Sequence, residues 1–188
     1  IILQAPTGGG KSLIAEILMV RKLFQSQDET LRIGKKIIYV VPKRSLVTSV
    51  VTKLQRTFQK ATNQYIRVEG FYGHRSTADK RKKRMTSQMA FDGKDVHVII
   101  CTTELAVSLI EHIEIKDTFA RLTAVVIDEA NFLDLGDPRG VKMLNVLAIM
   151  MAAPNGEKIQ IIAMSATFLK NQLEDLSKWM KAVEFVHG

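Results

Sequence analysis

The stretch Ala5-Pro6-Thr7-Gly8-Gly9-Gly10-Lys11-Ser12 lies between an apolar run, Ile1 to Leu3, and a segment with helical spacing, Leu13 to Phe24. Consecutive glycines admit backbone angles that a β-carbon forbids, so several N–H groups can turn inward on one anion. A strand entering such a loop and a helix leaving it form a phosphate-binding loop. Thr7, Gly8, Gly9 and Gly10 would cradle phosphate oxygens. Lys11 would place a charge-assisted bond on the β- and γ-phosphates, the Ser12 hydroxyl would ligate Mg²⁺, and the helix would point its positive end at the same anion. A nucleoside triphosphate is the implied ligand.

The rest of the chain repeats the same alternation. Apolar, β-branched runs recur at Lys36 to Val41, Ile66 to Glu69, Val96 to Cys101, Ala124 to Ile127 and Ile159 to Met164, with a last short one at Ala182 to Val186. Most show no two-residue alternation, the mark of strands buried on both faces. Helical spacing falls between them, at Ser45 to Gln59, Lys80 to Phe91, Glu104 to His112, Val141 to Met151 and Asn171 to Met180. Strand and helix in turn predict an α/β fold, a mainly parallel sheet with helices on both faces. Turn clusters are read at Ser26 to Glu29, Gly136 to Gly140 and Pro154 to Glu157. No linker divides the 188 residues, so the whole length reads as one domain.

In such a sheet ligands bind beyond the carboxyl ends of the strands, so functional residues are sought there. Asp128 and Glu129 follow the apolar run Ala124-Val125-Val126-Ile127 with no Gly or Pro turn signal between. In a phosphate-loop enzyme the first acid can hold Mg²⁺ and the second can orient and deprotonate the water that attacks the γ-phosphate. With Lys11 and Ser12 they make a minimal hydrolytic site.

Five segments in order, APTGGGKS, VPKRSLV (Val41 to Val47), CTTELA (Cys101 to Ala106), DEAN (Asp128 to Asn131) and MSAT (Met164 to Thr167), resemble motifs I, Ia, Ib, II and III of superfamily 2 helicases. The resemblance covers essentially the whole chain. It is to the first of two RecA-like domains, within the DExH branch that includes the helicase domain of DNA polymerase theta, archaeal repair helicases, and spliceosomal and exosome RNA helicases. It implies ATP and Mg²⁺ as cofactors, Glu129 as general base, and coupling of the ATP site to the motor through Ser165, Ala166 and Thr167. It also implies single-stranded nucleic acid as a partner, held by Pro42, Lys43, Arg44, Thr102, Thr103 and Glu104, and a second RecA-like domain that this sequence does not hold. The isolated domain is accordingly expected to be weakly active or inactive. Nuclear or cytoplasmic residence is the corresponding expectation.

One position departs from the pattern: the fourth residue of motif II is commonly His or Asp, and here it is Asn131. An uncharged amide leaves the hydrolytic carboxylates intact and puts their coupling to strand movement in question. A noncatalytic nucleic-acid-binding scaffold with the same fold is the alternative, and a small-molecule kinase the third.

Taken alone, Pro42-Lys43-Arg44 is also an ordinary polar turn between strand and helix, and Thr102-Thr103-Glu104 also a helix start whose acid suits the dipole. The net charge of +8 favours polyanionic partners. The run Lys80 to Arg84 reads as a solvated helix face or loop, or else as a further phosphate contact or a localisation signal. No apolar run approaches the roughly 18 residues of a membrane span. The lone Cys101 reads as a buried small hydrophobe, the four histidines lack companions at metal-ligand spacing, and the methionines and Trp179 read as packing.

Overall fold

The computed structural model describes residues 1–24, 34–61, 66–71, 90–93, 95–111, 119, 121–154, 156–181 and 184–186. Its strands are β1 (Ile2–Gln4), β2 (Lys36–Val41), β3 (Val68–Phe71), β4 (Val98–Thr102), β5 (Leu122–Ile127), β6 (Gln160–Ser165) and β7 (Glu184–Val186). Its helices are α1 (Lys11–Phe24), α2 (Arg44–Ala61), α3 (Thr103–Glu111), α4 (Pro138–Ala152) and α5 (Lys170–Met180). The seven strands form one sheet in the order β3-β4-β2-β5-β6-β1-β7, and every pairing is parallel.

Parallel strands require crossovers, and the crossover helices cover both faces of the sheet. Ala15, Met19 and Leu23 of α1 pack with Val47, Leu54 and Phe58 of α2 on the face lined by Ile37, Tyr39 and Val41. Ala106 and Ile110 of α3, Met143, Leu147 and Met150 of α4 and Leu176 of α5 cover the face lined by Ile38, Val40 and Ile127. All six residues of β2 and all five of β4 are buried, which is why Ile37 to Val41 and Val98 to Cys101 read as unbroken apolar runs.

Boundaries moved where local chemistry outweighed hydropathy. Gly136 to Gly140 reads as a turn, yet α4 begins inside it: Asp137 caps the helix by accepting the Arg139 N–H at 2.8 Å, and Pro138 occupies the first turn. Strand β3 lies two residues later than the run Ile66 to Glu69, because its register is set by β4, with Val68 opposite Val98. Strand β5 starts two residues earlier, at Leu122, where a bulge lets Lys36 face Leu122 and Ile37 face Ala124. Trp179 is 38% exposed and Leu135 83%, whereas Leu133 and Met143 are buried. The run Lys80 to Arg84, most of the helix expected over Lys80 to Phe91, the turn at Ser26 to Glu29, and His74, His112 and His187 lie outside the described residues.

Lys36 is a lysine with no exposed surface, at the start of β2. Its Nζ donates to the carbonyl oxygens of Gly93 and Val96 and so ties the approach to β4 to the sheet. Burial, with the Arg121 charge adding to it and Asp95 and Asp92 opposing, pushes the ammonium down to about 8. An unfolded lysine titrates near 10.4, so between these values the unfolded chain binds more protons and stability rises with pH. Chemical denaturation at pH 8 and pH 9.5 is expected to show a gain on the order of 1 kcal/mol, absent from Lys36→Met. Equal gains in both proteins would locate the alkaline stabilisation elsewhere.

Candidate functional site

The loop between β1 and α1 has the geometry its glycines predict. Gly8 and Gly10 take φ of 84° and 82°. A Cβ on Gly9 would lie 2.9 Å from both the Ala5 Cβ and the Pro6 carbonyl oxygen, which also accepts the Gly9 N–H at 2.9 Å. Helix α1 starts as the Ile14 N–H donates to Gly10 at 3.0 Å. Thr7 and the three glycines are exposed, Lys11 and Ser12 half-buried. The Lys11 ammonium lies over the loop, donating to the carbonyl oxygens of Ala5 and, at 3.0 Å, of Pro6.

Strand β6 separates β1 from β5 and joins their ends. The Ala5 N–H donates to the Ser165 carbonyl at 3.4 Å, and the Thr167 N–H donates to the Ser165 hydroxyl at 3.1 Å. Ser165 is fully buried, Ala166 half-buried and Thr167 exposed.

At the end of β5 the Asp128 N–H donates to Val40 of β2 at 2.9 Å, extending the ladder by one bond. Glu129 then leaves the sheet in a left-handed conformation, φ 49° and ψ 50°, rare for a residue with a side chain and costly by about 1 kcal/mol or more. The turn exposes Glu129 while its N–H donates to the Asp128 carboxylate at 3.0 Å. Burial raises the Asp128 carboxyl above its ordinary value, as does the adjacent Glu129, against the pull of that N–H, Lys11 and Lys53. A divalent cation among Ser12, Asp128 and triphosphate oxygens would relieve that cost, so the donor set suits Mg²⁺, a hard cation that prefers oxygen.

Two residues with no motif to mark them support these acids. Tyr39 of β2 is 4% exposed, and its phenol lies close enough to the Asp128 carboxylate to feel its charge. Burial, then the charges of Asp128 and Glu16, hold that phenol far above its ordinary value, so it stays protonated and available as a donor. Its only sequence signal is a hydroxylated ring inside a strand buried on both faces. Gln172 of α5 is buried, and its side-chain amide donates to the carbonyl oxygens of Asn131 at 2.6 Å and Leu133 at 3.2 Å. Its oxygen accepts the Leu169 N–H at 3.4 Å, so one side chain pins the loop after Glu129 to the segment that follows Thr167. The Asn131 side chain is exposed.

The other candidates share the carboxyl edge but lie on the far half of the sheet. Pro42, half-buried, and Lys43 and Arg44, exposed, link β2 to α2. Thr102 ends β4 and Thr103 starts α3 with no loop between, and both are buried. Glu104 is exposed beside a cleft of about 300 Å³ between the first turns of α3 and α4, opposite Arg139 and Lys142. Cys101 is buried and its thiol pushed up to about 12, by burial and then by Glu104, which removes it as a nucleophile. His97 lies at the start of β4, remote from this edge, and its imidazole accepts the Arg67 N–H at 3.2 Å. Among the described residues no cluster of His, Cys, Asp and Glu could by itself hold a metal, and no helix is long and apolar enough to cross a membrane.

A glycine-rich loop, an acid pair and a polar strand end on one parallel sheet agree with what known proteins show. The model of the DEAD/DEAH box helicase family matches residues 1–176. Over 187 residues the chain is 30% identical to DNA polymerase theta of Drosophila melanogaster, covering 99% of this chain and 8% of that protein. It is 30% identical to the ATP-dependent DNA helicase Hel308 of Thermococcus kodakarensis, covering 97% of this chain and 13% of that one. The chain thus spans a small part of the length of these relatives. Among solved structures, the yeast DEAD-box splicing factor Prp28 superposes with a TM-score of 0.67 at 20% identity, over 95% of this chain and 39% of its own. Dbp5 of S. cerevisiae, bound to RNA and ADP BeF3, does so with 0.67 at 16%, over 100% and 41%. The sheet is that of a RecA-like helicase domain, and with the family model matched from the phosphate loop through most of α5, the chain belongs to the DEAD/DEAH box helicases.

Proposed function

We propose that this chain is the ATP-binding and hydrolysing motor domain of an ATP-dependent nucleic-acid helicase or translocase. The observation that carries the reading is the convergence at the ends of β1, β5 and β6, where the glycine loop, Lys11 and Asp128 meet within one hydrogen-bonded edge. Thr7 to Gly10 and the first turn of α1 would hold the β- and γ-phosphates, Lys11 leaving the Ala5 and Pro6 carbonyls for the γ-phosphate oxygens. Ser12 and Asp128 would hold Mg²⁺, which supplies charge neutralisation on the phosphate oxygens. Glu129, turned out of the sheet, would take the proton of the attacking water. The Asp128 N–H is bonded to Val40 of β2, the strand that runs into Pro42-Lys43-Arg44 and carries Tyr39 beside the carboxylate, so the ATP site and the proposed strand site share β2.

For the partner, the charge of +8 supports a polyanion, and relatives named as a DNA polymerase and a DNA helicase support DNA over RNA. Backbone contacts at Pro42 to Arg44 and Thr103 to Glu104 would position a strand without reading its bases. A second RecA-like domain would close on the exposed side of the phosphate loop.

The test is ATP turnover by the full-length protein with and without single-stranded DNA and RNA, beside Glu129→Gln. Turnover stimulated by the strand and lost in the variant is the expected result. Nucleotide binding without turnover in the parent would leave the scaffold reading, and recovery of turnover in Asn131→His would then trace the defect to that residue. In the same assay Tyr39→Phe is expected to raise the Mg²⁺ concentration for half-maximal turnover on the order of tenfold, since groups that orient metal ligands are commonly worth that much. An unchanged Mg²⁺ titration would reduce Tyr39 to a packing residue.

A further inference from the structure

Helix α2 has a face that the ATP site does not use. Its 18 residues include no Asp or Glu and four cations, Arg44, Lys53, Arg56 and Lys60. Val47, Leu54 and Phe58 spend its apolar side on the sheet. On the outward side an open depression of about 640 Å³ runs along the helix, and the described residues that line it are Ser, Thr, Lys and Arg. The spacing explains how: Thr48, Thr52, Arg56 and Lys60 stand one turn apart on a single row, and the neighbouring row from Ser45 to Thr57 carries hydroxyls and Lys53.

The cations on these rows differ in availability. Lys53 is held by the buried Glu16 of α1 at 2.7 Å. Arg56 and Lys60 have no acidic partner among the described residues, and both are exposed. Ser49 and Thr52 donate to the helix carbonyls of Leu46 and Thr48 at 2.9 and 3.0 Å, hydroxyls that a rotation about one bond would turn outward. From Arg44 to Lys60 the helix advances about 24 Å, and its first residue, Arg44, is the last of the Pro42-Lys43-Arg44 segment.

We propose that this face of α2 is a docking surface for the phosphodiester backbone of nucleic acid, continuing the strand path from Pro42 to Arg44 along the helix. The proposal rests on the nucleic-acid reading given above. Phosphate oxygens only accept hydrogen bonds, and these helix rows offer donors and positive charge and carry no Asp or Glu of their own, the buried Glu16 being taken up by Lys53. Contacts to phosphate and sugar position a strand without carrying sequence information, so binding of this kind is independent of sequence. An anionic lipid surface fits less well, because the rows carry no large apolar or aromatic side chain to enter the bilayer.

The experiment measures binding of a labelled single strand and of a tailed duplex to the full-length protein between 50 and 200 mM salt, with Arg56→Gln/Lys60→Gln beside the parent. Each lost phosphate contact lowers the salt slope by about 0.7 for single strands. The double variant is therefore expected to lose about 1.4 of slope, to bind several-fold to tens-fold more weakly at low salt, and to keep the parent's nucleotide affinity and thermal midpoint. Unchanged slope and affinity beside a parent that binds would overturn this inference and leave the motor reading intact. A parent that binds no strand would sink both. A loss confined to phosphatidylserine vesicles, with strand binding intact, would overturn it in favour of a lipid surface.

Discussion

Glu129→Gln is expected to lower ATP turnover by roughly 10²- to 10⁴-fold, the usual worth of a positioned general base, with nucleotide affinity nearly unchanged. The separation follows from where the side chain stands. Glu129 is exposed and turned out of the sheet by its left-handed backbone, whereas Lys11, Ser12 and the glycines on the phosphate side are untouched by the change. Its own link to the site is through the main chain, the N–H that donates to Asp128, and an amide keeps that bond. Gln also keeps the volume and the hydrogen-bonding reach, and loses only the capacity to accept a proton. Single-turnover hydrolysis and equilibrium binding of a labelled nucleotide check the two halves. Equal loss of binding and turnover would mean that Glu129 shapes the loop rather than the chemistry.

Gly140→Ala is expected to be strongly destabilising for a single added methyl. A Cβ there would come within 2.1 Å of the Phe132 carbonyl oxygen and 2.7 and 2.8 Å of the Asp134 oxygen and nitrogen. All three are backbone atoms, so no rotamer can make room. The first turn of α4 presses on the loop that follows Asp128 and Glu129, and Gln172 pins that loop from its other side. The methyl must therefore displace either α4, whose Met143 and Leu147 are core, or the acid-bearing loop itself. A loss on the order of 3 kcal/mol or more follows, a fall in Tm of roughly 6 to 12 °C for a domain of this size. Turnover should fall further than the unfolded fraction explains, because the displaced loop carries Glu129. Leu135→Ala, a few residues away and largely exposed, should stay within about 0.5 kcal/mol of the parent. Equal midpoints for the two variants would show that the loop yields freely.

Much of this fold was legible before any coordinate. Strands β2, β4, β5 and β6 were found because burial on both faces removes the polar alternation that would otherwise blur a short apolar run. The tight glycine loop was legible because glycine best tolerates the left-handed angles at Gly8 and Gly10 and the close approach at Gly9. Less was legible where a side chain acts against its type. Lys36 reads as a polar strand boundary, yet it is buried, since its ammonium satisfies carbonyls across the sheet rather than water. Tyr39 and Gln172 lie in segments that read as core strand and surface helix, and their partners are 89 and 41 positions away, a distance no local pattern encodes.

The sequence by itself determined that strands and helices alternate, that the loop after β1 suits a phosphate, and that an acid pair ends a buried strand, because each depends on residues adjacent in the chain. Only the tertiary structure decided that β1 inserts between β6 and β7. That one placement brings residues 5 to 12 and 128 to 129 around the end of β6, and leaves Pro42 to Arg44 and Thr102 to Glu104 on the other half of the same edge. Strand order is settled by how crossover helices share the two faces of the sheet, a competition among surfaces far apart in the sequence.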